Sequence, residues 1–72
     1  MGYRCPACKK IWPTTMDLAR HMLGTGDKAH RDWISSQGYS YIELLLKQTM
    51  EPGNKGYKIL SELLEKKAEK VD

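Results

Sequence analysis

Seventy-two residues allow one domain at most, in a size range where folding buries only about 60% of the unfolded surface and stability is marginal. No stretch approaches the ~20 apolar residues needed to cross a bilayer, and Met1-Gly2-Tyr3-Arg4-Cys5 does not open an apolar leader. The expectation is an intracellular protein, cytoplasmic or nuclear/nucleoid, with no membrane partner. Of the formal net charge of +3, all the excess lies in residues 1–32, where Arg4, Lys9, Lys10, Arg20, Lys28 and Arg31 face only Asp17, Asp27 and Asp32; residues 33–72 balance six against six.

In chain order, residues 3–12 suit a short β-hairpin whose turn is Cys5-Pro6-Ala7-Cys8. Pro13-Thr14-Thr15 stops the strand, and a hydroxyl at Thr14 or Thr15 can cap a helix running to about Leu23, with Asp17 in its first turn. Gly24-Thr25-Gly26 interrupts it. Thr25 or Asp27 then caps a second helix over about 28–37, ended by Gly38, with Ala29, His30, Trp33, Ile34 and Gln37 along one stripe. Ser40-Tyr41-Ile42-Glu43 has the form of a capping box and starts a third helix over about 41–50. Glu51-Pro52-Gly53-Asn54 breaks the chain again, and Asn54 can cap a last helix over about 55–71. Its apolar stripe is Tyr57, Leu60, Leu63, Leu64, Ala68 and Val71, with Lys58, Glu62, Lys66 and Lys70 toward water. Trp33, Ile34, Tyr39, Tyr41, Ile42, Leu45 and Leu46 are expected in the core, because a small domain has few other residues to bury.

Cys5 and Cys8 are two residues apart, twelve residues separate Cys8 from His21, and eight separate His21 from His30. These are all the cysteines and histidines of the chain. Two thiolates and two imidazoles suit tetrahedral Zn²⁺, and a structural ion would staple a chain too small for a large core. A redox dithiol would need a βαβ unit for which the chain has no room. The expected ligands are Cys5, Cys8, His21 and His30 on one structural Zn²⁺, with Asp27 or water as substitutes for His30.

The match continues around the ligands. Tyr3 lies two residues before the first cysteine, Trp12 four after the second and Leu18 three before the first histidine. With these, residues 3–30 resemble the C2H2 zinc-finger family, in which the three side chains fill the small core between hairpin and helix. That resemblance implies a ββα finger. The family usually has three to five residues between its histidines, and the longer gap is similar to matrin-like and related double-stranded-RNA-binding fingers and to small archaeal C2H2 proteins. The gap also implies that His30 reaches the metal from a separate or sharply bent helix.

The expected fold is small α+β: a finger over residues 1–32 and a mainly helical extension over 33–72 packed on it. The leading expectation for function is a nucleic-acid-binding module, DNA or RNA, with Arg4, Lys9, Lys10, Arg20, Lys28 and Arg31 on phosphates. In base-reading fingers the helix positions that match Thr14, Met16, Asp17 and Arg20 face the bases, but one finger covers about three base pairs. The alternative is a protein-interaction adaptor, possible as a homodimer, that covers the apolar Leu44-Leu45-Leu46 helix. An enzyme is the weakest expectation: a catalytic zinc needs an open position and a base, for which Asp17 and Asp27 are the candidates.

Overall fold

The computed structural model describes residues 2–71, so Met1 and Asp72, the outer bounds of the two expected segments, lie outside the described residues. Strands β1 (Gly2–Arg4) and β2 (Ile11–Trp12) form the expected antiparallel hairpin, with Tyr3 opposite Trp12 and Arg4 opposite Ile11. Four helices follow: α1 (Thr15–Thr25), α2 (Lys28–Ser36), α3 (Tyr41–Met50) and α4 (Lys55–Lys67). The chain is thus a small α+β fold, and its ββα start is consistent with a finger. The expected division between residues 32 and 33 falls within α2.

Each helix boundary has a local cause. Thr14 caps α1, its hydroxyl accepting from the Asp17 amide at 3.0 Å. Thr15 is then free to turn inward, where Ser61 donates to its Oγ1 at 2.7 Å while Thr15 donates to Glu65 at 3.2 Å, pinning the start of α1 to α4. At its other end α1 runs two residues past the expected Leu23. Gly24 is accommodated inside the helix, and Gly26 alone, at φ 61°, ends it. A side chain there would meet strain and the Tyr41 hydroxyl, which donates to the otherwise unmatched Leu23 carbonyl at 2.6 Å. After α2, Gly38 at φ 87° gives a Schellman ending: its amide bonds Ser35 O and the Tyr39 amide bonds Ile34 O.

The largest departure is at the end of the chain. The last helix stops at Lys67, and Glu69–Val71 forms strand β3, antiparallel to β1, giving a sheet ordered β2-β1-β3. Ala68 and Val71 therefore leave the expected helical stripe. Continuing the helix would leave the outer edge of β1 with unpaired amides and carbonyls, whereas β3 satisfies them and sets Glu69 against Arg4.

The core gathers Leu18, Ala19, Met22 and Leu23 of α1, Ile34 of α2, Leu44 of α3 and Leu60, Leu63 and Leu64 of α4. Tyr3 and Trp12 pack against this core, to which the fully buried Leu18 belongs. Helix α1 runs through the middle, with α4 as its principal neighbour. Helix α3 departs from expectation: Leu44 is buried, but Tyr39, just ahead of it, and Ile42 (58%), Leu46 (51%) and Met50 (78%) are exposed. One face of this helix suffices to cover α4, leaving the opposite one in solvent.

Candidate metal centre

The hairpin turn brings in the first two donors. The Cys5 amide bonds Lys10 O at 2.7 Å and the Lys9 amide bonds Cys5 O at 2.9 Å, a closure that holds Lys9 at φ 71°. Within this knuckle the Ala7 and Cys8 amides favour the Cys5 thiolate and the Lys10 amide the Cys8 thiolate. Helix α1 contributes His21, and α2, entered after the Gly26 turn, contributes His30. Cys5 and His30 are buried, whereas Cys8 lies at the surface.

The four donor atoms lie within 4.8 Å of one another. Cys5 Sγ is 3.5 Å from His30 Nε2, Cys8 Sγ is 3.3 Å from His21 Nε2, and the two Nε2 atoms are 3.1 Å apart. With Zn–S of about 2.3 Å and Zn–N of about 2.0–2.1 Å, the edges of a tetrahedron are about 3.3–3.8 Å. The cluster is close enough to hold one metal ion, and its donors are compatible with a C2H2-like site.

The far side of each imidazole fixes which nitrogen faces inward. His30 Nδ1 lies 2.5 Å from Asp27 Oδ1, and an ionised carboxylate only accepts, so the proton is on Nδ1. Thr25 donates its single hydroxyl proton to His21 O at 2.7 Å; its oxygen then accepts from His21 Nδ1 at 3.2 Å. Both Nε2 lone pairs thus point into the cluster. Two such lone pairs 3.1 Å apart repel unless a cation sits between them. Trp12 stacks on His21, with centroids 4.6 Å apart at 27°, and holds the ring in place.

Charge and burial act on the same groups. Burial pushes the Cys5 thiol up. It acts likewise on Cys8, but the Lys10 amide and the neighbouring His30 and Cys5 outweigh it and bring that thiol below its ordinary value. Burial, with positive charge at His30 and Lys10, lowers His21. For His30, burial is outweighed by Asp27 and Cys8, which raise it. Hydrogen bonds from the His30 amide and ring hold Asp27 below the usual carboxylate range.

Asp27 therefore stands behind His30 rather than in its place, the carboxylate–histidine arrangement that orients metal ligands. The sequence reading missed this task for Asp27 and for Thr25. The signals were an aspartate three residues before His30 and a threonine four after His21.

The residues expected on nucleic acid are spread over several elements. Thr14 is used as a cap. Asp17 and Arg20 pair at 3.8 Å, with Arg20 also lying over the Tyr57 ring at 5.8 Å. Lys28 pairs with Asp32 at 2.8 Å, which raises its pKa, and Arg4 pairs with Glu69 at 2.6 Å. Lys9 and Lys10 on the knuckle and Arg31 on α2 are exposed and form no ion pair among the described residues. Also among the described residues, no helix is long and apolar enough to cross a membrane. Comparison with protein-family models, curated proteins and solved structures finds no match to this chain.

Proposed function

We propose that the chain is a zinc-organised nucleic-acid-binding module. One structural Zn²⁺ held by Cys5, Cys8, His21 and His30 fixes the fold, and exposed cations around it contact phosphates. The zinc reading rests on two inward-facing Nε2 atoms 3.1 Å apart, each with its Nδ1 proton already engaged. Zinc suits the mixed thiolate and imidazole set, and with four protein donors no position is left for substrate.

The nucleic-acid reading is supported by Lys9, Lys10 and Arg31, cations with no carboxylate partner among the described residues. Arg20 and Lys28 already face carboxylates on their own helices and contribute less. With α1 packed on α4, and Thr14, Asp17 and Arg20 engaged within the chain, phosphate contact is favoured over base reading. Three or four phosphate contacts predict that log K falls against log salt with a slope of about −3 on duplex DNA. Binding of the zinc-loaded chain to DNA and RNA duplexes across a salt series tests this, with the double change Lys9→Glu and Lys10→Glu expected to flatten the slope. Affinity indifferent to both salt and those substitutions would remove the reading.

A protein-interaction reading is favoured separately by the exposed stripe Ile42, Leu46 and Met50 on α3. It predicts self-association or partner binding that Leu46→Lys abolishes; a monomer at all concentrations in sedimentation speaks against the homodimer.

A further inference from the structure

Beside the candidate metal centre lies a notch of about 160 Å³ lined by Arg4, Cys5, Pro6, Lys9, Lys67 and Glu69. We propose that it seats one phosphate group of a nucleic-acid backbone, gripped by Arg4, Lys9 and Lys67. This rests on the nucleic-acid reading above and gives it a location that includes Lys67, the last residue of α4.

Three cations from three separate elements, β1, the knuckle and the last turn of α4, meet there against one carboxylate. They owe their convergence to the third strand: β3 turns the chain back along β1 directly after Lys67 and sets Glu69 opposite Arg4. Glu69 takes Arg4 Nε at 2.6 Å and the Lys9 carbonyl takes Nη1 at 3.2 Å. A guanidinium has five N–H donors in a rigid fork, so these two bonds orient it and leave others for an incoming anion. Lys9 and Lys67 form no ion pair among the described residues.

Size narrows the ligand. Small-molecule pockets run to about 300–1,000 Å³, so a notch about half the lower figure takes a single anionic group and leaves the rest of a nucleotide outside. Such a group on its own is held weakly. As one contact in a polyanion it adds about one released counterion to the binding equilibrium.

The test uses the full zinc-loaded chain in two arms. In the first, inorganic phosphate is titrated while backbone amide shifts are followed by NMR. Saturable shifts at Arg4, Lys9, Lys67 and Glu69, lost in Lys67→Gln, are expected; their absence overturns the notch as an anion site whatever the second arm shows. In the second, duplex binding is measured across salt for the wild type, Lys67→Gln and Lys58→Gln, the last an exposed α4 lysine outside the notch. Lys67→Gln should lower the magnitude of the salt slope by about 1 and Lys58→Gln should leave it unchanged. Equal effects of the two overturn the notch and leave the nucleic-acid reading in place. A wild type with no salt-dependent binding removes that reading and with it the nucleic-acid assignment of the notch, even where the phosphate shifts are seen. Circular dichroism of each variant confirms that an intact fold is being compared.

Discussion

Asp27 performs two tasks with one carboxylate oxygen: it accepts from the His30 amide at 2.9 Å, capping α2, and holds His30 Nδ1. Asp27→Ala should remove both, lowering metal affinity about 10–100-fold and costing about 1 kcal/mol of helix capping. Competition with a chromophoric chelator measures the first, and thermal melting of the metal-loaded chain the second. Asp27→Asn keeps a cap and a neutral acceptor, so its loss should be smaller. Affinity unchanged in Asp27→Ala would deny the orienting role. At this scale the four donors were legible in the sequence because few residue types bind zinc and their spacing is restrictive. Asp27 was legible only as a cap or substitute ligand, since nothing local says that the carboxylate three residues before His30 also reaches its ring. The pairing of Arg4 with Glu69 was not legible at all, being set by a strand pairing across the whole fold.

Helices α3 and α4 meet where there is no room for a side chain. A Cβ on Gly56 would run into Leu44 O and come within 2.8 Å of Gln48 Cβ. Alanine is worth about 1 kcal/mol over glycine inside a helix, but overpacking costs about 1–3 kcal/mol. Gly56→Ala is therefore expected to lower the melting temperature despite its better helix propensity; a rise would show that the pair can slide apart. Nearby, Asn54 sits in the left-handed region and makes no side-chain cap. Its Oδ1 takes Gln48 Nε2, and Gln48 Oε1 accepts from the Tyr57 amide, so α3 supplies the cap of α4. The four helices were legible because Thr14, Gly26, Asp27, Gly38, Ser40 and Pro52 act within a few residues of a helix end, although the cap of α4 comes from Gln48 of α3. Strand β3 was hidden because the helical apolar spacing continues through Val71, and the competing demand comes from the edge of β1, which no local pattern records.

At the scale of the molecule, a chain of 72 residues has a stability of about 4–11 kcal/mol at usual per-residue values, whereas finger peptides gain roughly 10–16 kcal/mol from zinc. Chelation should therefore remove most of the stability and, with it, the cooperative melting transition. Calorimetry before and after chelator reads this directly, and an unchanged melt would mean that the helical core stands without the ion. Leu60, fully buried on α4, sharpens the comparison: Leu60→Ala costs about 2–5 kcal/mol, which the zinc-loaded chain should survive and the metal-free chain should not. Chain order also becomes time order. All four donors lie within the first thirty positions, while Glu69 follows His30 by thirty-nine. During synthesis the ion can be captured while the outer edge of β1 is still bare, and β3 closes over that edge only afterwards. Metal exchange, followed by chelator competition, should then be faster on a chain cut before Glu69 than on the full one, as expected if the third strand closes the finger like a latch.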